Sequence, residues 1–346
     1  MKICVVGAGA IGGLLAFRLA DAGNDVSVVA RGAHRDAIAA HGLTLVDHAA
    51  GGAQTLAIPA SGEPRDFGVQ DIVFIGLKAH AIGAMLPKIA ALVGPETMVV
   101  PAINGLPWWY FQHEGGPYDG AHLVSLDPGG TMAAHLNARH LIGCVVHAAA
   151  EVREPGVVHH TGGKRFIVGE IDRALSDPVT PRVLRLAAAI DAARLAAVVS
   201  RDIRVDVWSK LIGNLSFNPV AALTLARMDR LCAHEGLLGV IRPMLLEGMA
   251  VARHYGVDLA ITPDERIAVA RHLGSAKISM HQDFEAQRTP EIAAIVGAVI
   301  ELADKAGIAV PVTRMLYALV EERAISLGLI TRPGAQRSAK SEAARP

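Results

Sequence analysis

The residues best suited to chemistry lie in one stretch, 208–219, where Lys210, Asn214 and Asn218 are spaced by four. Each step of four turns a helix about 40° beyond a full turn, so the three side chains share one face. The other faces are apolar, and asparagine is a poor helix former, so we predict that this stripe lines a cleft and is not a solvated surface. A lysine ammonium in a cleft can polarise a ketone and donate a proton as hydride reaches the carbon.

Two further candidates follow in the segment 277–291. Ser279 could hydrogen-bond a substrate carboxylate, and Glu291 could bind a substrate hydroxyl or tune Lys210. An ordinary role is also open to Glu291, because a glutamate directly after Pro290 at a helix start stabilises the helix N-terminus.

The segment Gly7-Ala8-Gly9-Ala10-Ile11-Gly12 matches the pattern GxGxxG. The first glycine permits a tight turn, the second lets the backbone approach a pyrophosphate, and the third allows helix and strand to pack closely. The N–H groups of the helix that opens at Ala10 and Ile11 would then hold the phosphates. The pattern alone is a weak signal, but here it follows an apolar strand and opens a helix, as a dinucleotide site requires. We therefore favour a nucleotide site over a glycine-rich turn without a ligand.

The residue after the second predicted strand indicates which nicotinamide is used. An NAD site usually places a carboxylate there, whereas this chain has Arg31, with Arg35 as a second candidate. A guanidinium suits a 2′-phosphate by its charge and its forked donors, so we predict NADP(H) and disfavour a solvated surface arginine.

Lys78 and Asn104 follow the next two predicted strands of the same sheet. The carboxyl ends of such strands face the ligand crevice, so Lys78 could bind phosphate and Asn104 could bind the nicotinamide ribose or the substrate. For each residue alone, an ordinary role in a loop is equally open.

The elements that must position these residues alternate along the first half of the chain. Apolar runs at 2–6, 25–30, 71–77 and 98–103 predict strands, and 11–22 and 81–92 predict helices. This alternation predicts βαβ units and a doubly wound, mostly parallel sheet of the Rossmann type. Short apolar segments in 141–168, separated at 154–156 and 162–163, predict further strands at the edge of that sheet, and 181–197 predicts a helix.

From about residue 200 the chain is almost entirely helical in pattern, over 203–217, 237–255, 263–276, 291–306 and 312–327. We therefore predict an α/β Rossmann domain over 1–199 and an all-α domain for substrate and dimer contacts over 200–330. The segment 331–346 has no apolar periodicity and is predicted to be a disordered tail.

Composition excludes several classes of protein. The chain has 346 residues, 51% of them hydrophobic, and its 33 basic residues balance 33 acidic ones, so nothing indicates a nucleic-acid partner.

No apolar stretch is long enough to span a membrane, and the glycines of the first twenty residues argue against a secretory signal. Three separated cysteines fit the reducing cytoplasm. We predict no metal site, since His147, His159, His160 and Glu151 lack ligand spacing.

Together these motifs resemble the ketopantoate reductase (2-dehydropantoate 2-reductase) family from residue 1 to about 327. The resemblance rests on the order and spacing of six motifs. They are the GxGxxG, Arg31, Leu-Lys-Ala around Lys78, Asn-Gly at Asn104, Trp-x-Lys-x3-Asn-x3-Asn-Pro in 208–219, and Lys-x-Ser-Met-x2-Asp with Arg-x2-Glu-Ile in 277–292.

The resemblance implies reduction of ketopantoate to pantoate with NADPH, on the route to pantothenate and coenzyme A. It implies that Lys210 is the general acid, with Glu291 beside it in the catalytic set. It implies that Asn214, Asn218, Ser279 and Glu291 bind the substrate, and that Arg31, Lys78 and Asn104 contact NADP, with Asn104 also near the carbonyl.

Departures from the family pattern leave the substrate open. Met228 stands where some members have an asparagine, and Gln287 and Pro290-Glu291-Ile292-Ala293 differ from the usual residues. Trp108 and Trp109 add bulk just after Asn104, beside the expected cleft. These changes favour a related reductase of another small 2-oxo acid or ketone as the alternative substrate class.

A non-catalytic NADP-sensing protein is the alternative from a different class. It predicts loss of the catalytic lysine, and Lys210 is present, which disfavours it. A homodimer is a further possibility that the sequence leaves open.

Overall fold

The computed structural model describes residues 1–47 and 51–331. The predicted tail 331–346 therefore lies, apart from Thr331, outside the described residues. Close contacts divide the chain into two compact units, of which the first is Met1–Val207 and the second begins at Trp208.

The described residues contain ten strands, all in the first unit. They are β1 (Lys2–Val6), β2 (Asp25–Val29), β3 (Leu43–Asp47), β4 (Gly52–Leu56), β5 (Ala60–Ser61), β6 (Ile72–Ile75), β7 (Met98–Pro101), β8 (Ile142–Glu154), β9 (Val157–Glu170) and β10 (Ala196–Val199). Five of them form a parallel sheet in the order β5-β2-β1-β6-β7. The strand order reverses between β1 and β6, which is where ligands bind in such sheets. The predicted Rossmann architecture is confirmed.

The segment 141–168 begins at the edge of the first sheet, as predicted, where Leu141 forms a parallel bridge to Val99 of β7, but most of it belongs to a second sheet. β8 and β9 form a long antiparallel hairpin, and β9 also pairs in parallel with β3 and β10. The predicted break between strands at Gly162 and Gly163 is wrong. They lie inside β9, at an irregularity where Gly163 has a φ of +61°.

The described residues of the first unit contain five α-helices and the start of a sixth. The five are α1 (Ala10–Asp21), α2 (Gly32–His41), α3 (Ala79–Ile89), α4 (Met132–His135) and α5 (Pro181–Ala192). Helix α5 ends five residues before its predicted end, because the chain turns at Arg194, which has a φ of +59°, and then forms β10.

The core of the first unit forms around β1 and α1. Every residue of β1 after Lys2 is buried, as are the apolar residues Leu14, Leu15 and Phe17 of α1. Helix α1 also packs on β9, where a side chain at Gly13 would meet Val158. Burial of each large apolar side chain contributes about 1.5–3 kcal/mol to the free energy of folding. These contacts therefore hold α1 against the strands.

The second unit is helical, as predicted. Its helices are α6 (Ile203–Thr224), which starts in the first unit, α7 (Met228–Ala233), α8 (Glu235–His254), α9 (Pro263–Arg271), α10 (Ser279–Glu285), α11 (Ala298–Ala306) and α12 (Pro311–Ser326). A π-helical turn, Ala293–Gly297, leads into α11. No helix among the described residues is both long and apolar enough to cross a membrane.

Helix α6 continues past Pro219, although the sequence predicted its end at residue 217. Proline inside a helix costs about 3 kcal/mol because it removes a hydrogen bond and crowds the preceding turn. The residues that follow, Val220, Ala221 and Ala222, are buried, and their packing outweighs that cost. On another face of α6, Leu215 packs against the bare backbone of Gly248 in α8.

Candidate active site

Three glycines pack against one another where β1 and β6 end. A Cβ on Gly12 would lie 3.0 Å from the carbonyl carbon of Gly7 and still closer to its oxygen. A Cβ on Gly76 would lie 2.7 Å from the same Gly7 oxygen, and Gly7 itself has a φ of +95°. Since these neighbours are backbone atoms, no side chain fits at Gly12 or Gly76, and the turn can form only from glycine.

The second glycine of the motif differs from the other two. Gly9 is exposed, and a Cβ placed on it would meet no atom within 4 Å. It precedes α1, where no side chain caps the helix and no acidic residue occupies the first turn. Half-buried Ala10 and Ile11 begin that turn. An uncapped helix N-terminus beside open space suits an anionic group.

Sequence reasoning missed His34, which holds this turn in place. The N–H of Gly156 donates to His34 Nδ1 at 2.9 Å, so the other ring nitrogen carries the proton. That nitrogen, Nε2, lies 2.7 Å from the carbonyl oxygen of Ala8, to which it donates. His34 thus ties the glycine turn to the β8–β9 hairpin. Only the fold brings the three residues together, so no local sequence signal marks them.

The two arginines expected to read the dinucleotide follow β2: Arg31 directly precedes α2, and Arg35 lies within α2. Arg31 is exposed, and no described residue forms a hydrogen bond or ion pair with its guanidinium. Arg35 binds Asp36 through Nε at 2.8 Å. The two arginines therefore differ, because only Arg31 has its full set of donors available for a phosphate.

Lys78 and Asn104 occupy corresponding places at the ends of β6 and β7. Lys78 precedes α3, Asn104 follows β7 and comes just before Gly105, and both side chains are half-buried. The carboxyl ends of the parallel strands thus place the glycine turn, Lys78 and Asn104 along one edge of the sheet.

The two tryptophans that follow Asn104 do not add exposed bulk. Trp108 and Trp109 are 6% and 1% exposed. The ring of Trp109 packs close to Gly143 and lies near the guanidinium of Arg204, whose Cζ is 6.0 Å from the ring centroid. The expectation that this pair borders a cleft is wrong for Trp109, because its ring fills the core of the first unit.

Arg204, another residue that the sequence did not mark, anchors this loop to the first turn of α6. It is 1% exposed, and its donors reach the backbone oxygens of Tyr110, Ile171 and Gln112 at 2.7, 2.8 and 2.8 Å. Burial, and then the charge of Arg173, lowers the pKa of this guanidinium. Three carbonyls compensate the buried charge, so the segment after Asn104 is held at several points.

The polar stripe of α6 lies in the second unit. Lys210 and Asn214 are half-buried, and Asn218 is 1% exposed. The Nδ2 group of Asn218 has no hydrogen-bond partner among the described residues. By contrast, the buried hydroxyl of Ser216 donates to the carbonyl of Ile212 at 2.8 Å. A buried amide without a partner is rare and points to a ligand or a water molecule at that place.

Ser279 and Glu291 also lie in the second unit, away from α6 in sequence. Ser279 is the first residue of α10 and is half-buried, and Glu291 is 9% exposed just before the π-helical turn. Such turns are frequent at functional sites, because the extra residue redirects the side chains around it.

The described residues contain no cluster of three or more His, Cys, Asp or Glu placed to hold a metal. The Nε2 of His160 donates to the carbonyl oxygen of Gly163 at 2.5 Å, and its Nδ1 lies 3.5 Å from Asp47 Oδ2. Burial raises the pKa of the Cys4 thiol to about 11, so this thiol stays protonated at neutral pH.

Comparison with known proteins identifies the family. The model of ketopantoate reductase PanE/ApbA matches residues 3–113, and that of the ketopantoate reductase PanE/ApbA C terminal matches residues 202–324. The 2-dehydropantoate 2-reductase of Mesorhizobium japonicum is 43% identical over 330 residues, which are 95% of this chain and 99% of that protein. The chain belongs to the ketopantoate reductase family.

Solved structures agree with this membership. A candidate ketopantoate reductase of Ralstonia solanacearum has 37% identity and a TM-score of 0.89, covering 95% of this chain and 99% of that one. The 2-dehydropantoate 2-reductase of Geobacter metallireducens has 29% identity and a TM-score of 0.80, covering 93% and 100%. The chain is thus an oxidoreductase of the type that acts on CH–OH groups.

One departure from the ketopantoate reductase pattern, Met228, is a buried residue in the structure. Met228 opens α7 and is 2% exposed, so an apolar side chain is buried where some members have an amide. The change alters local polarity and leaves Lys210 and Asn214 in place.

Proposed function

We propose that this ketopantoate reductase family member reduces 2-dehydropantoate to pantoate with NADPH. The observation that carries the proposal is the stripe of α6, where half-buried Lys210 and Asn214 accompany the buried, unpartnered amide of Asn218. A lysine that can donate a proton, beside amides that add no charge, suits a small oxo acid. The Mesorhizobium relative, named for this reaction, supports the same substrate.

The N-terminal unit fits a dinucleotide phosphate. The Gly7–Gly12 turn and the N-terminus of α1 would hold the pyrophosphate, because Gly9 leaves open space there and the helix is uncapped. The unpaired guanidinium of Arg31 would bind the 2′-phosphate, and no carboxylate follows β2 to select NADH. Lys78 and Asn104 would contact the same cofactor. When bound, the nicotinamide supplies the hydride.

The remaining chemistry belongs to side chains of the chain itself. The Lys210 ammonium hydrogen-bonds the ketone oxygen, polarises the C=O bond, and transfers its proton to that oxygen as the C2 carbon is reduced. Asn214, Asn218 and Ser279 orient the oxo acid by hydrogen bonds. Glu291 binds a substrate hydroxyl, and its carboxylate stabilises the protonated form of Lys210. Solvent returns the proton to Lys210 after each turnover.

A second candidate is a reductase of another small 2-oxo acid or ketone. Buried Met228 favours it, because an apolar side chain in place of an amide changes which substrate groups find a partner.

The experiment follows NADPH oxidation by the purified chain with ketopantoate and with a panel of other 2-oxo acids and ketones. We expect kcat/KM for ketopantoate to exceed that for every other member of the panel. A higher kcat/KM with another acid or ketone would mean that this compound is the substrate in place of ketopantoate, while the type of reaction would stay the same. No oxidation with any of them would contradict the proposal.

A further inference from the structure

Arg266 of α9 is a partly buried cation that no described residue neutralises. Its Nε atom is buried without a hydrogen-bond partner, and no ion pair or hydrogen bond from its guanidinium reaches a described residue. Burial lowers the pKa of this guanidinium, and the one group opposing that effect is the Cys232 thiol, not a carboxylate. A buried charge without a partner costs free energy, so a ligand that neutralises it would be bound favourably.

A glycine of α6, Gly213, leaves the space that this guanidinium occupies. A Cβ on Gly213 would lie 2.6 Å from Cζ and 3.0 Å from Nε of Arg266, and closer still to Nη2. Glycine in the middle of a helix costs about 0.5–1 kcal/mol relative to alanine. The absence of a side chain at position 213 is thus what lets the guanidinium pack against α6.

Gly213 lies on the helical turn that carries the candidate general acid. It is three residues after Lys210 and one before Asn214, so its direction from the helix axis is about 60° from that of Lys210. Residues three apart have Cβ atoms about 5–6 Å apart, and the guanidinium occupies the space where a Cβ at 213 would be. Lys210 and the guanidinium of Arg266 therefore lie at the same turn of α6.

We propose that Arg266 binds the carboxylate of the oxo-acid substrate. This inference rests on the proposed function, in which Lys210 contacts the ketone oxygen. In a 2-oxo acid the ketone and the carboxylate are on adjacent carbons, so the groups that bind them must be neighbours. A guanidinium offers paired donors that match a carboxylate, and its uncompensated charge is what the substrate anion would neutralise.

The test compares substrates with and without the carboxylate in the full-length enzyme. For Arg266→Ala we expect KM for ketopantoate to rise about 10- to 100-fold, the usual range for a lost hydrogen bond to a charged group. We expect kcat to change far less. The lactone of ketopantoate has no carboxylate, so its KM should change by less than about 3-fold. Equal effects on acid and lactone, or no effect on either, would overturn the assignment.

Two further variants separate recognition from packing. Arg271→Ala removes the same charge from the exposed end of α9 and should leave KM unchanged. Gly213→Ala adds a methyl group that displaces the guanidinium while favouring the helix by up to about 1 kcal/mol. It should raise KM for the acid as Arg266→Ala does, without a fall in Tm. A normal KM for the acid in Gly213→Ala would count against the proposal, and Arg266→Lys should recover part of the lost affinity.

The role of Arg266 can be tested even if ketopantoate is not the substrate. If wild type turns over another 2-oxo acid instead of ketopantoate, the same variants are compared with that acid. If it turns over none, titration calorimetry with pantoate and with 2-oxobutyrate, in the presence of NADP+, takes the place of kinetics. Binding that is lost in Arg266→Ala and kept in Arg271→Ala supports the inference. Binding that is equal in both variants, or absent in wild type, overturns it.

Discussion

The glycine turn of the N-terminal unit and the stripe on α6 in the second unit are built in opposite ways. At the turn, Gly7 and Gly12 approach so closely that no side chain fits between them. On α6, the buried amide of Asn218 has no partner among the described residues, although the neighbouring Ser216 hydroxyl is satisfied. In the first region the backbone contacts of the turn are complete, and the space at Gly9 and the uncapped N-terminus of α1 stay open. The second region leaves a buried side-chain amide unsatisfied.

This difference matches the two tasks that we propose. Binding a dinucleotide needs a rigid backbone turn, and the folded chain provides it with its own contacts. Binding and protonating a small oxo acid needs polar side chains that are held in position without a hydrogen-bond partner. Each unpaired group costs free energy until the substrate binds to it. Substitutions in the two regions should therefore have different signatures.

The largest effect is expected from Lys210→Ala. Loss of a general acid typically lowers the rate about 10²- to 10⁴-fold, and we expect kcat to fall within that range. NADPH should bind with nearly unchanged Kd, because its ligands are assigned to the other unit. Stopped-flow turnover and fluorescence titration measure the two quantities. Turnover equal to that of wild type would remove Lys210 from its role.

The glycine turn is tested by two alanine variants. Gly12→Ala places a methyl group against the backbone of Gly7 and should lower the free energy of unfolding by about 1–3 kcal/mol or more, as overpacking does. Gly9→Ala meets open space and should leave stability unchanged, yet it should weaken NADPH binding. Denaturant unfolding and NADPH titration distinguish the two. Normal NADPH affinity in Gly9→Ala would show that the phosphates do not lie there.

Arg31→Ala should change cofactor selectivity. Loss of a charge-assisted hydrogen bond costs about 1.5–3 kcal/mol, so Kd for NADPH should rise roughly 10- to 100-fold while Kd for NADH stays nearly constant. Arg35→Ala is the matched control, because that guanidinium pairs with Asp36. A similar loss for both nucleotides would mean that Arg31 does not contact the 2′-phosphate.

The smallest effect is expected at Asn218. Asn218→Ala breaks no hydrogen bond, so the free energy of unfolding should change by less than about 1 kcal/mol, while KM for the oxo acid rises roughly 10-fold. Ser216→Ala, which removes a satisfied hydroxyl on the same helix, should leave KM unchanged. If Asn218→Ala instead unfolds the chain and spares KM, the amide has a structural role.

Much of this fold could be predicted from the sequence because its signals are local. Buried parallel strands appear as apolar runs, as at β1, and the glycine turn appears because backbone contact excludes every side chain. The stripe at 210, 214 and 218 is visible because helical periodicity is regular. Each of these features depends on residues close together in sequence.

What the sequence did not reveal depends on distant partners. His34 becomes informative only once Ala8 and Gly156 lie beside it, and Arg204 only once three carbonyls surround it. The bulk of Trp109 suggested a cleft wall, but Gly143 gives the ring a place in the core. The break predicted at Gly162 and Gly163 is wrong because a glycine pair inside β9 resembles a strand end.

The measurement that tests the central claim most directly uses NADPH that carries deuterium at both C4 positions of the nicotinamide. The wild-type chain is incubated with ketopantoate and the product is analysed by mass spectrometry. We expect pantoate that carries one deuterium at C2, formed by wild type and almost absent with Lys210→Ala. Absence of pantoate, or pantoate without deuterium at C2, would contradict it.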